Sequence, residues 1–349
     1  MIRIHRIGSA RSIIFAMTML LPMTHAAADA IHDATAKGDL ATVKKLLRKN
    51  PKLITSRNPR GYLPIHLAAE RGYPAIVRLL LERGGDINAI GPDEMTPLHL
   101  AAWKGTEEMV ALLLEHGAQP ERRDKWENTA LHLAAMEGKT EIGRLLLKHG
   151  AQVNTTDYVD QTPLMSAVFF GRYDMAKLLL EHGADIEAKD PFGMTPLFKT
   201  QGRAMTELLL AHGAIVNAPS ISHATPLQRV SDSAAATVLL EHGADINAVD
   251  DEGQTPLHFA AATSDTEMAL VLLNHGAEKN PRDNAGRIPL ASALEPMDSV
   301  SSIPMIALLI AHGADITAKD NRERTPLAIV IEHNEEAAAD VIRSHGGLP

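Results

Sequence analysis

A seven-residue string recurs along this chain in one register. Thr96-Pro97-Leu98-His99-Leu100-Ala101-Ala102 returns as Thr129-Ala130-Leu131-His132-Leu133-Ala134-Ala135 and as Thr255-Pro256-Leu257-His258-Phe259-Ala260-Ala261. Weaker copies begin at Leu63, Thr162, Thr195, Thr225, Ile288 and Thr325, so that the nine starts are spaced 33, 33, 33, 33, 30, 30, 33 and 37 residues apart. A tenth, degenerate copy lies upstream, with Ile31-His32 in the Leu-His place. A short fixed period excludes one closed globule, because each copy is a small unit that buries its apolar face only against its neighbours. The length, 349 residues, agrees, since a single compact core rarely grows that far.

Each copy carries a second signature, of which Leu112-Leu113-Leu114-Glu115-His116-Gly117-Ala118 is typical; His-Gly recurs with the histidine at 149, 182, 212, 242, 275, 312 and 345. Further on, Asp86-Ile87-Asn88-Ala89 is echoed by Asp185-Ile186-Glu187-Ala188 and Asp245-Ile246-Asn247-Ala248. The local chemistry of one unit follows. The Thr96 hydroxyl can cap a helix, and Pro97 suits its first turn, where a missing N–H costs nothing. Leu98, Ala101 and Ala102 recur at helical spacing, and Gly105 ends the helix. A second helix is expected from about Glu107 to Glu115, with Met109, Val110, Leu113 and Leu114 inward. Gly117 suits the left-handed position that closes a helix, and Asn50 is expected to do the same in the first unit. Asp and Asn residues then turn the chain outward. The units at Thr195 and Thr225 lose three residues each, which predicts shorter or looser first helices. The Ile288 unit gains four around Leu294–Ser299, which predicts a bulged loop between its helices.

These strings, in ten copies, resemble the ankyrin family over residues 29–349. The resemblance implies an all-α ankyrin-repeat solenoid of about ten helix-turn-helix units with outward hairpin loops. Units would start near residues 29, 63, 96, 129, 162, 195, 225, 255, 288 and 325. It also implies a monomer with a concave face that binds proteins, the contacts lying at the hairpin tips and on the inner side of the first helices. Carried onto this chain, the inner-helix slot holds Glu70, Trp103, Met136 and Phe169 in successive units, expected as one row. The tips offer Trp126, Tyr158 and Phe192. The same aromatic residues also suit packing between units, and the sequence leaves both roles open. Glu70, Glu94, Glu127 and Asp160 would favour a partner with a basic patch. Phe259 falls in the Leu slot and is expected to be buried.

Residues 1–28 have a different pattern. Arg3, His5, Arg6 and Arg11 precede an apolar stretch from Ser12 to Met23 that contains Pro22, and Ala26-Ala27-Ala28 follows. This order is that of a secretory signal, with cleavage expected after Ala26 or Ala28; the run is too short for a membrane span. A periplasmic mature chain is expected, with secretion as the alternative. Without those residues, 31 Lys and Arg face 43 Asp and Glu, a net charge of −12 that repels phosphate backbones and argues against nucleic acid. The chain has no cysteine, which removes disulfides, thiolate chemistry and Cys-ligated zinc. Thirteen of its 17 histidines fall in the two repeat slots, and none shows zinc-site spacing. No phosphate-binding loop, nucleophile elbow or metalloprotease motif is present, so no catalytic residue, metal or cofactor is expected. The functional expectation is a non-catalytic envelope module that docks a folded protein, stress protection being one role that the resemblance to exported ankyrin proteins implies. The alternative is a secreted effector or inhibitor acting on a host or rival protein.

Overall fold

The computed structural model describes residues 30–294 and 299–346; the expected signal segment, residues 1–28, lies outside them. Among the described residues there are 19 α-helices and no strand. They come in pairs, one pair per repeat, except in the Thr195 unit, whose first element is a 3-10 turn. In the Thr96 unit the first helix is Pro97–Lys104 and the second Glu107–Glu115, so both ends of the expected second helix coincide with those observed. The loops point outward as turns, without the strands of a true hairpin.

The first helix starts because Thr96 and His99 satisfy each other's backbone. Thr96 Oγ1 accepts from the His99 N–H at 3.4 Å, and His99 Nδ1 accepts from the Thr96 N–H at 3.1 Å. This is a capping box with histidine in the place of the usual Glu. The other ring nitrogen extends the effect, since His99 Nε2 donates to Asn128 O, 29 residues on, at 3.1 Å. His132 reaches Gln161 O and His258 reaches Arg287 O in the same way, at 3.1 and 3.0 Å. Each histidine therefore staples a helix start to the loop that leads into the next unit. With Nδ1 accepting, the imidazole must be neutral, and burial holds the pKa values of His66, His99 and His132 down to about 4.

The second histidine slot closes the second helix. His116 Nδ1 lies 2.9 Å from Leu112 O, which also accepts the His116 N–H at 3.2 Å, so ring and backbone of one residue together hold the last turn. Gly117 then turns the chain at φ 88°, where a side chain would be strained. Asn50 does not behave this way. It is extended, at φ −143° and ψ 94°, because the following Pro51 disfavours helical geometry in its predecessor. Its side chain instead accepts from the Lys52 N–H at 3.1 Å and caps the 3-10 turn Pro51–Thr55.

Packing runs through one continuous apolar core. Leu98, Ala101, Ala102, Met109, Val110 and Leu113 are at most 1% exposed, and the equivalent residues of neighbouring units join them. Burying a leucine of this kind contributes roughly 1.5–3 kcal/mol.

The trimmed units differ as the sequence predicts. The Thr195 unit has only a four-residue 3-10 turn, Pro196–Lys199, and the Thr225 unit a four-residue helix, Pro226–Arg229. In the Ile288 unit the first helix is also four residues, Pro289–Ser292, and the second is extended to Ser299–Ala311 with Pro304 inside it. Part of the four-residue gain is therefore a turn added to the start of the second helix. The bulged loop expected there falls on residues 295–298, outside the described residues.

Candidate protein-binding surface

Two rows of side chains flank the first helices: the last turn of each helix, and the loop tips. The tips are built on one acid per unit. Asp124 Oδ1 accepts from the Trp126 and Asn128 N–H groups, both at 2.9 Å, and Asp157 and Asp190 hold Val159, Gln161, Phe192 and Met194 in the same way. Neighbouring tips are joined by backbone bonds, such as Lys125 N–H to Asp93 O at 2.8 Å and Tyr158 N–H to Trp126 O at 3.1 Å. A residue at a tip is thus held in place by the loop, and its side chain is free to face outward.

On the last turns of the helices, the structure brings Trp103 and Met136 together. Both are half-buried, and with Tyr62 they cover a small apolar cluster of Met95, Leu100 and Leu133 that is separate from the main core. Polar groups pin the edge of this cluster. Trp103 Nε1 donates to Glu137 at 3.2 Å. Lys104 sits 4.0 Å from the Trp103 ring centre and pairs with Glu70 at 3.2 Å. Burial, followed by the charges of Glu70 and Asp93, raises the pKa of the Tyr62 hydroxyl, while both acids are ion-paired, with Lys104 and Lys125. Glu70 is therefore a rim residue, half-buried and ion-paired.

Phe169 takes the next place in the expected row, but its close aromatic neighbour is Phe170, edge-on with ring centres 5.1 Å apart. At the tips, Tyr158 and Phe192 are 52% and 53% exposed, whereas Trp126 is half-buried with Lys125 5.8 Å from its ring. Tyr158 occupies the second tip position and Trp126 and Phe192 the third, so these three do not share one slot. Sequence reasoning missed Tyr62 and Met95. Both lie in the residues just before a repeat start, where the period attaches no role to side chains. Phe259 is a correction: it is half-exposed, with the Arg229 guanidinium 4.5 Å above its ring. Leu100 and Leu133, in the same slot, are covered by Tyr62, Trp103 and Met136. In the unit before Phe259, Arg229 holds that slot, and its short helix ends there.

Among the described residues, no group of three or more His, Asp or Glu side chains could hold a metal ion, and no helix is long and apolar enough to cross a membrane.

A family model described as ankyrin repeats, in three copies, matches residues 31–124, 120–190 and 229–320. The interval left between the matches, residues 191–228, holds the trimmed Thr195 unit and the start of the Thr225 unit. Over 64 residues the chain is 38% identical to protein phosphatase 1 regulatory subunit 27 of Homo sapiens, covering 18% of this chain and 41% of that protein. It is 40% identical over 53 residues to the serine/threonine-protein kinase VIK of Arabidopsis thaliana, 15% of this chain and 12% of that protein. It is 36% identical over 55 residues to the NAD-capped RNA hydrolase NUDT12 of Homo sapiens, 16% of this chain and 12% of that protein. The matched stretch spans less than half the length of each of these relatives.

Proposed function

The chain belongs to the ankyrin-repeat family, a protein–protein interaction fold that is generally non-catalytic, and from that premise we propose that it is a binding module for one folded protein, working in the cell envelope. The contact surface is the side of the first helices in the Leu63, Thr96 and Thr129 units together with the adjoining tips. One observation carries this reading: Tyr62, Trp103 and Met136 form a half-exposed apolar group outside the main core, edged by charged side chains. A desolvated centre with aromatic anchors and a polar rim is the usual layout of a binding hot spot. The excess of acids in the mature chain, 43 against 31 Lys and Arg, favours a partner with a basic patch. Stretches similar to parts of this chain occur in a kinase, a hydrolase and a phosphatase regulatory subunit, so such stretches do not carry one chemistry of their own. This supports a non-catalytic role here, and the regulatory subunit offers regulation by binding as a parallel.

The test begins with the mature chain as bait for the envelope fraction of its own cells, the captured protein being identified by mass spectrometry. Trp103→Ala with Trp126→Ala is expected to weaken that partner's binding by more than ~2 kcal/mol, on the order of thirtyfold in Kd, while the helical circular dichroism is unchanged. Unchanged Kd, or loss of the helical signal, would show that the two tryptophans are packing.

Placement in the envelope rests on the basic head, apolar run and small residues of 1–28. Ile14→Asp with Leu20→Asp is expected to leave an uncleaved precursor in the cytoplasm; normal processing of that variant would remove the export reading. The same leader suits release into the medium, and with it a role as an effector or inhibitor on a host or rival protein, stress protection being the counterpart inside the envelope. Fractionation of the mature chain separates them.

A further inference from the structure

Three kinds of bond recur between successive units. From the Leu63 unit onward single ones are missing at several junctions, but only between the Thr162 and Thr195 units are two of them missing together. The first kind is the tip bond, from the N–H of the second tip residue to the carbonyl of the tip before. It is present at Lys125, Tyr158, Ile221, Asp251, Asn284 and Asn321, at 2.8 to 3.1 Å. The corresponding residue is a proline, with no N–H to give, at two junctions: Pro92 between the Leu63 and Thr96 units, where His66 Nε2 still reaches Met95 O at 3.2 Å, and Pro191 between the Thr162 and Thr195 units. The second kind is the staple. In the Thr162 unit its place is taken by Met165, fully buried and unable to donate; in the Thr195 and Ile288 units it is taken by Phe198 and Ala291, but there the tip bonds at Ile221 and Asn321 remain. With no partner at Phe198, the buried Thr195 hydroxyl makes no hydrogen bond, and the helix it should start is the 3-10 turn Pro196–Lys199.

The third kind runs along the opposite edge, where a side chain in each unit holds the chain just past the next unit's second helix. It is intact across the same junction: the Ile215 N–H donates to Glu187 at 2.9 Å. On either side, Asp185 N–H to Asn154 at 2.8 Å and Asp245 N–H to Asn217 at 2.9 Å continue it. An exposed side-chain bond, Gln201 Nε2 to Phe169 O at 3.3 Å, also spans the junction. Leu164 and Leu197, both fully buried, keep the apolar core continuous through it.

We propose that the array is two stiff arms joined between the Thr162 and Thr195 units, and that the joint swings open on the tip side about the outer edge as its pivot. The retained edge bond fixes the axis. The absent tip bond and staple free the opposite side, and the shared leucines limit the motion to a swing. This inference stands apart from the binding surface, all of whose cluster residues lie on the first arm.

The chain has no cysteine, so spin labels go only where cysteines are placed. Lys125→Cys with Glu252→Cys puts labels on exposed tips either side of the joint. Gln152→Cys with Glu278→Cys does the same on the outer edge, and Arg60→Cys with Lys125→Cys reports on tips within the first arm, across a junction that lacks the tip bond at Pro92 but keeps its staple through His66. By double electron–electron resonance, the tip pair across the joint is expected to give a distance distribution at least about twofold broader than either other pair, the signature of a hinge. Pro191→Ala, which restores the missing N–H, is expected to narrow it. A tip pair as narrow as the one within the arm, an outer pair as broad as the tip pair, or no response to Pro191→Ala would each overturn the proposal.

Discussion

The Thr96 and Thr225 units perform the same local task with different parts. In the Thr96 unit an eight-residue helix is started by Thr96 and His99, and the histidine reaches forward to Asn128 O. In the Thr225 unit the helix is four residues long, and Gln228 stands where the histidine was. Its Oε1 accepts from the Thr225 N–H at 2.6 Å, and its Nε2 donates to Gln254 O at 2.6 Å and Ala248 O at 3.3 Å. The amide presents one acceptor and one donor at the separation at which the ring presents them. Two properties that run together elsewhere in the chain are thus separable: a unit can lose half of its first helix and keep its staple. The Thr195 unit shows the opposite outcome, with a trimmed helix and no staple at all. The amide also differs from the ring in one respect that matters in acid, since it does not titrate.

The largest expected effect exploits that difference. His66, His99 and His132 have folded pKa values of about 4 against an unfolded value near 6.5. Between those values the unfolded chain binds more protons than the folded one, so stability is complete above pH 6.5 and is lost as pH falls toward 4. Each histidine contributes roughly 3 kcal/mol to that loss. Urea unfolding at a series of pH values measures it, and replacing all three with Gln, after Gln228, is expected to flatten the profile. A triple variant as acid-sensitive as the parent would show that the histidines are not responsible.

Next in size is the core. Leu98→Ala, at a fully buried place in a stapled unit, is expected to cost about 2–5 kcal/mol. Phe259→Ala, at a half-exposed place beside a trimmed unit, is expected to cost about 1 kcal/mol. Equal losses for the two would mean that Arg229 covers Phe259 more completely than its position suggests.

Smaller differences lie within the folded state. Solenoid stability is approximately a sum of unit and interface contributions. Amide hydrogens in the Thr195 and Thr225 units should therefore exchange faster than those in the units from Leu63 to Thr162, and mass spectrometry of deuterium uptake reads this directly; even protection along the chain would contradict it. The smallest effect belongs to Thr195→Val. Because the buried hydroxyl has no partner, replacing it with a methyl group is expected to change stability by less than about 1 kcal/mol, whereas Thr96→Val should cost more by removing a used cap.

Much of this was legible in the sequence because the repeat encodes its own helix starts and stops. Thr96, Pro97, Gly105 and Gly117 act through local backbone chemistry, which depends on neighbours in sequence alone. The trimmed helices were legible too, since three absent residues cannot form a turn. What was not legible depends on neighbours in space. Gln228 could be recognised as a staple only from its bonds to Gln254 and Ala248. Phe259 was misplaced because its burial depends on what the preceding unit sets beside it. Tyr62 and Met95 complete the apolar cluster from positions that the period leaves unassigned. Asn50 is the exception that was local: Pro51 beside it should have ruled out the left-handed conformation.

The outer-edge clamps have a direction. Asn88, Asn154 and Asn217 each donate to the carbonyl of a helix-ending glycine in the following unit, Gly117, Gly183 and Gly243, and each accepts an N–H two residues beyond it. The clamp always belongs to the earlier unit and the helix end to the later one. A chain emerging from the ribosome N-terminus first therefore displays each clamp before the segment it will hold has been made. Every newly synthesised pair of helices meets a finished template, and the stack is suited to growth by accretion during translation, one repeat at a time.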